Sequence, residues 1–298
     1  MSLYRRALLQ ATAAVLAARH APAEEPAVST PLSPLDCREI TVPGDRTLGR
    51  RFTLCVPRSF SPAQRFPLLV LLHGLGETVD ERLGVRAWLD RYGLQSALAR
   101  LRCPPVSRTS HRDDWGDGIA RVNVELAAQP YRGLVVACPF TPNVQRQDDP
   151  RAALDAYAGW IADIVVPRAR LEAPVLGDAA HTHLDGCSLG GFVGLEVFLR
   201  RPEAFGQWGG VQAALSRAHA PGYADRLAAT IARTGPRPLH LETSEGDPFR
   251  AANEALAAAL TSRGVPNELL VLPGPHDQPW LRESGTLEML LWHDRLPR

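Results

Sequence analysis

Lysine is absent from this chain of 298 residues, so every basic side chain is an arginine. With abundant alanine and proline, this reflects GC-rich codons and carries no functional information. Charge of one sign is missing too. Basic and acidic residues number 33 and 32, a net charge of +1, and no nucleic-acid or membrane-surface footprint follows from that balance. No membrane span is expected, because the apolar run over residues 7–18 falls short of the roughly 20 residues a bilayer requires. Cysteine is sparse and odd in number. Cys37, Cys55, Cys103, Cys138 and Cys187 are five, so at least one stays unpaired. Nothing reads as a linker, and 45% hydrophobic content is enough for one large α/β core.

What is present starts with Arg5-Arg6, the apolar stretch that follows, and Ala21-Pro22-Ala23, a small-residue cleavage site. That order is the order of an export signal, and RRALLQ is similar to the twin-arginine type. An ordinary Sec signal and an unprocessed N-terminal helix are the alternatives. Residues 1–23 are therefore expected to be removed, leaving residues 24–298 as a single catalytic domain in the periplasm or outside a bacterial cell.

The most informative stretch is THLDGCSLGG, residues 182–191. A short apolar run enters Gly186-Cys187-Ser188-Leu189-Gly190 and the apolar-periodic segment Phe192–Arg200 leaves it, which reads as strand, sharp turn and helix. A serine at the tip of so tight a turn needs strained backbone angles and neighbours without bulk. The helix behind it aims free N–H groups at any oxyanion formed there. Upstream, Leu68–Leu72 is a continuous apolar run of the kind buried on both faces, and it ends at His73-Gly74-Leu75-Gly76. In a hydrolase such a loop supplies the second oxyanion donor. His73 reads as a structural residue there, and Cys187 as a small packed one.

Along the rest of the chain, Arg38–Val42 and Arg50–Val56 alternate as an opening hairpin. Gly133–Cys138, Gly206–Ala213, Pro238–Thr243 and Glu268–Leu272 are further strands. Helical spacing covers Asp80–Arg102, Arg151–Leu171 with a break near Pro167, Tyr223–Arg233, Phe249–Arg263 stopped by Gly264, and Pro279–Leu296. The alternation predicts an α/β protein with a mostly parallel, doubly wound sheet flanked by helices. Residues 103–132 are harder to read. Ser107–Gly118 fits both a functional loop at the site mouth and a solvated surface loop. His111, Asp113, Asp114 and Asp117 lie in it without a recognised ligand spacing, so no metal is expected.

A serine alcohol is a poor nucleophile at neutral pH, so it needs a base, and the base needs an orienting carboxylate. After Ser188 the chain offers Glu245 and Asp247 as acids, and His276 and His293 as bases. Asp247 and His276 each sit just past a predicted strand, in the order Ser, acid, His. His293 falls in the closing helix and reads as a surface or packing residue; His181, His183, His219 and His240 have no motif around them. Asp247 also precedes Pro248 and a helix, so it reads equally as a helix N-cap, with Glu245 or Asp277 as the third member instead.

Taken together, PLLVLLHGLGE (67–77), DGCSLGGFVGLEVFLRRPEAF (185–205), SEGDPF (244–249) and LPGPHDQPW (272–280) resemble the esterases of the α/β-hydrolase superfamily. The similarity is to the esterase D-like and feruloyl esterase-like branches, more distantly to mycolyltransferases, and runs from about residue 50 to the C-terminus. Family members often carry an arginine about where His181-Thr182 stand. The resemblance implies the α/β-hydrolase fold, Ser188 as nucleophile, Asp247 as acid and His276 as base. It further implies backbone N–H groups of Leu75 and Leu189 as the oxyanion hole, and no cofactor. The expected activity is hydrolysis of a carboxylic ester of a small molecule or saccharide. Acyl transfer to an alcohol would use the same residues, and a non-catalytic binding protein on this fold would be expected to have lost one of the three.

Overall fold

Leu68–Leu72 (β3) sends its side chains to two cores at once. Leu68, Val70 and Leu72 join one cluster and Leu69 and Leu71 the other, all fully buried. Alternation along an extended chain places successive residues on opposite faces, so an unbroken apolar run fits only a strand covered on both. Each such side chain contributes about 1.5–3 kcal/mol.

The computed structural model describes residues 34–45, 47–58, 61 and 63–298; the expected export signal at residues 1–23 lies outside them. The strands are β1 (Leu35–Asp45), β2 (Gly49–Pro57), β3, β4 (Val135–Pro139), β5 (Thr182–Gly186), β6 (Gln207–Val211), β7 (Leu239–Gly246) and β8 (Glu268–Pro275). They form an eight-stranded sheet in the order β1-β2-β4-β3-β5-β6-β7-β8. β1 and β2 are antiparallel, as the hairpin pattern predicts, and β2 is antiparallel to β4; the remaining pairs are parallel. Cys37 lies directly opposite Cys55 across the hairpin, both as thiols.

One face is covered by α1 (Glu81–Asp90), α2 (Leu94–Arg102), α3 (Gly118–Ala128) and the closing helix, the other by the helices between β4 and β8. The latter are α4 (Pro150–Trp160) continuing into α5 (Val166–Glu172), then α6 (Leu189–Arg200), α7 (Ala220–Thr234) and α8 (Arg250–Thr261). The sheet is thus doubly wound. No helix among the described residues is long and apolar enough to cross a membrane.

Several elements differ from the sequence pattern. The helix expected over 80–102 is two helices, because Gly93 adopts φ +79° and a Cβ there would come 2.9 Å from the Arg282 backbone. No break occurs at Pro167: a π-helical turn at Ile161–Val165 joins α4 to α5, placing the proline near the start of a fresh α segment. Residues 103–132 contain the unpredicted α3, whose apolar pattern is blurred by Val124, a largely exposed residue. Gly264 does stop α8. It sits at φ +69° with Val265 N–H bonded to Leu260 O and Gly264 N–H to Thr261 O, the pairing of a Schellman turn. The closing segment comprises α9 (Gln278–Trp280), a π-helical turn Leu281–Gly285 and α10 (Thr286–Arg295).

Candidate active site

β3, β5, β7 and β8 run parallel, so the segments that follow them emerge on one edge of the sheet. Those segments carry the His73 loop, Ser188, Asp247 and His276.

Ser188 stands between β5 and α6 with φ +54° and ψ −117°, a conformation costing about 1–3 kcal/mol that its surroundings must enforce. Its N–H donates to Val211 O at 2.9 Å and its carbonyl accepts from Ala214 N at 2.9 Å, tying the turn to the segment after β6. A Cβ on Gly186 would approach the Gly190 carbonyl carbon to 2.5 Å, and one on Gly190 would approach Leu72 O to 2.3 Å. The two glycines of the motif are therefore packing requirements. Although Ser188 occupies the N-cap position of α6, its side chain makes no cap bond. Its Oγ lies 3.1 Å from His276 Nε2.

The other imidazole nitrogen, Nδ1, lies 2.8 Å from Asp247 Oδ1. Asp247 is buried, and its remaining bonds come from Thr243 Oγ1 to Oδ2 (2.6 Å) and from Phe249 N–H to Oδ1 (2.9 Å). Nδ1 therefore donates to the carboxylate, which leaves Nε2 as the acceptor facing Ser188. The N-cap position of α8 belongs to Phe249 and not to Asp247, so Asp247 shapes the turn before the helix while facing His276. Glu245 is exposed, and Asp277 pairs with Arg112.

Among the other sequence-selected residues, His73 is fully buried. Its Nδ1–H donates to Gly74 O (2.9 Å), its Nε2 accepts from Thr141 N–H (2.8 Å), and burial pushes its pKa down to about 4. It is a neutral brace, as expected. Leu75 and Leu189 each begin a helical turn, Leu75–Glu77 and α6, so neither N–H has an acceptor within its own helix. Cys187 packs behind Ser188, and burial raises its thiol far above the ordinary range. His293 is not at the surface: its Nε2 bonds Asp185 Oδ2 at 2.9 Å and its Nδ1 faces His183 Nδ1 at 3.1 Å, in the interior below β5. The 107–118 loop is folded onto the protein through Arg112 and through Trp115 Nε1–H, which donates to Glu283 (2.8 Å). It braces the segment after His276.

A cavity of about 380 Å³ opens over Ser188, walled by Leu75, Glu77, Tyr92, Phe249, His276 and Leu281. Sequence reasoning missed the residues that hold this constellation together. Gln212, at φ +47°, donates from Nε2 to Ser244 Oγ (2.7 Å) and to the carbonyl of Pro275 (3.1 Å), the residue before His276. Thr243 and Glu77 were missed as well; Glu77 follows the HGLG motif directly, a proximity that could have drawn notice.

No family model and no curated protein matches the sequence. Solved structures resemble it. A ferulic acid esterase superposes with a TM-score of 0.64 at 18% identity, over 88% of this chain and 99% of that one. An S-formylglutathione hydrolase from Staphylococcus aureus gives 0.60 at 14% identity, over 88% and 98% of the two chains. A mutant of the feruloyl esterase module from Clostridium thermocellum, complexed with sinapinate, gives 0.56 at 15% identity, over 89% and 88%. With the strand order above, these similarities identify the α/β-hydrolase fold.

Proposed function

We propose that this protein is a serine hydrolase that cleaves a carboxylic ester through an acyl-enzyme intermediate. The observation that carries the reading is the continuous line from Ser188 Oγ to His276 Nε2 (3.1 Å) and from His276 Nδ1 to Asp247 Oδ1 (2.8 Å), beneath an open cavity. Ser188 Oγ attacks the ester carbonyl as Nε2 takes its proton, and Asp247 stabilises the imidazolium that forms. The carbonyl oxygen becomes an oxyanion bound by the N–H groups of Leu75 and Leu189. His276 returns the proton to the leaving alcohol. Water, deprotonated by the same nitrogen, then attacks the acyl carbon and releases the acid, which restores Ser188.

The substrate is an ester of a small molecule or saccharide. Phe249, Leu75 and Leu281 give the cavity apolar walls for an acyl group, and aromatic acyl chains come first because similar folds belong to feruloyl esterases, one of them complexed with sinapinate. Export through residues 1–23 would place this activity outside the cytoplasm, and N-terminal sequencing of the protein from its native host tests that. The activity is tested with p-nitrophenyl esters of rising chain length, methyl ferulate and acetylated sugars, each against Ser188→Ala. Failure of the wild type to turn over any of them, in the absence of stoichiometric labelling by a fluorophosphonate, would remove the reading.

A further inference from the structure

Beneath the loop that follows β3 sits a carboxylate that ester cleavage itself does not use. Glu77 is 2% exposed. Its Oε2 accepts from the Tyr92 hydroxyl, its Oε1 accepts from Gln278 Nε2 at 3.1 Å, and Arg91 Nε stands 3.8 Å away. The Tyr92 oxygen in turn accepts from Gly74 N–H at 3.3 Å. Directions in this chain are forced, since the Gly74 N–H can only donate to the Tyr92 oxygen and the phenol then has its one proton to give to Glu77. Burial pushes the Tyr92 hydroxyl far up, which keeps that proton in place. The clamp therefore joins three segments: the HGLG loop, the link between α1 and α2, and α9 just after His276.

Its consequence concerns which amide is left over. Gly74 N–H is consumed by Tyr92, so the next amide in the loop, that of Leu75, is the one available to an incoming oxygen. Space is limited as well: a Cβ on Gly74 would stand 3.2 Å from the Tyr92 oxygen and 3.7 Å from Ser188 Cβ. Gly74 thus packs close to both the Tyr92 hydroxyl and Ser188, and a side chain there would crowd the hydroxyl that holds the loop.

We propose that Glu77 and Tyr92 are positioning residues that hold the HGLG loop so that the Leu75 N–H faces the oxyanion, an inference that rests on the ester-hydrolase reading above. Displacing a preorganised donor weakens binding of the transition state while leaving ground-state binding almost untouched. The test compares wild type, Tyr92→Phe, Glu77→Gln and Gln278→Ala on p-nitrophenyl acetate, with active sites counted by fluorophosphonate labelling. Inhibition by an aryl trifluoromethyl ketone is measured alongside, because its serine adduct carries an oxyanion. Tyr92→Phe and Glu77→Gln should lower kcat by about 10- to 100-fold with KM changed less than about threefold, and Ki for the ketone should rise by the factor lost in kcat/KM. Gln278→Ala, which leaves the Tyr92 contact in place, should fall between them and wild type. Should Glu77→Gln fail to fold, Tyr92→Phe still reads the clamp, since it removes a single oxygen. An active wild type whose variants keep kcat and Ki within about twofold, or lose only melting temperature, overturns the clamp while sparing the hydrolase reading. An inert wild type removes the hydrolase reading and this inference with it.

Discussion

Asp277 follows His276 in the chain, yet its carboxylate turns to Arg112, 3.0 Å away, and leaves the imidazole to Asp247. The same carboxylate also accepts from Trp280 N–H at 2.8 Å, so it is committed to starting α9. Glu245, the other acid in reach by sequence, is exposed. This division of labour predicts how three amide substitutions differ. Asp247→Asn should keep the turn bond from Phe249 and most of the stability, yet lower kcat by roughly 10³ to 10⁴, because an amide fails to hold the imidazole in the needed tautomer. Glu245→Gln and Asp277→Asn should stay within a few-fold of wild type. Steady-state kinetics with thermal melts decides it, and an almost fully active Asp247→Asn would mean that the acid has been misassigned.

Ser188→Ala should abolish ester hydrolysis by at least about three orders of magnitude, because removing one member of such a unit costs nearly as much as removing all. Its melting temperature should barely move, since the side chain makes no cap bond to α6 and alanine meets the same strain at φ +54°. A fluorophosphonate should label wild type at one site per chain and this variant not at all. Activity within a few-fold of wild type would end the serine-hydrolase reading.

The candidate residues Ser188, Asp247 and His276, which the structure brings together, could be picked out in the sequence because each sits in a local pattern with a mechanical reason. Gly186 and Gly190 are demanded by contacts at 2.5 and 2.3 Å, and a five-residue apolar strand announces a sheet covered on both faces. The supports were not legible. Gln212 and Tyr92 act on partners 63 and 18 positions away, Thr243 lies just outside the SEGDPF motif whose aspartate it holds, and a non-glycine residue at φ +47° leaves no mark in composition. The residue pattern by itself leaves the acid open between Asp247, Glu245 and Asp277, and it is the resemblance that points to Asp247. Asp247-Pro248 has the pattern of a helix start, and only the placement of Phe249 at the cap separates the two readings. Of the two readings of His293, surface or packing, the structure bears out packing, and the sequence could not name its partner because Asp185 lies 108 positions away.

Gly84 offers a test of how the His73 brace is built. It lies in α1, where a Cβ would meet His73 Nε2 at 2.4 Å and Phe140 Cδ2 at 2.7 Å. Alanine there gains about 1 kcal/mol of helix propensity and suffers overpacking of about 1–3 kcal/mol. Overpacking should win, because both obstacles are rings and His73 is pinned by Thr141 and Gly74. Gly84→Ala should melt a few degrees lower and lose activity beyond its stability loss, as the displaced ring carries the HGLG loop with it. A higher melting temperature with full activity would show that α1 yields, leaving His73 in place.

Acid should act on stability through the buried histidines, against which the buried carboxyls Glu242, Asp185 and Glu288, held above the usual range by burial, work in the opposite sense. Burial pushes His73 down to about 4 and His240 to about 3, and holds His183 well below the usual imidazole range, whereas in the unfolded chain each takes up a proton near 6.5. Because the unfolded state binds more protons at these histidines, their contribution to stability is fully present above pH 6.5 and is lost as pH falls toward 4 and then 3. Each such histidine contributes a slope of about 1.4 kcal/mol per pH unit in that window. His240 isolates one of these contributions: it stacks on Trp292 with centroids 4.8 Å apart and lies away from Ser188, so His240→Phe should preserve the packing and flatten the slope by about one proton. Urea midpoints measured from pH 7.5 to 4.5 read this directly. A slope in His240→Phe equal to that of the wild type would mean that His240 accepts a proton in the folded state, because the carboxyl contributions are common to both proteins.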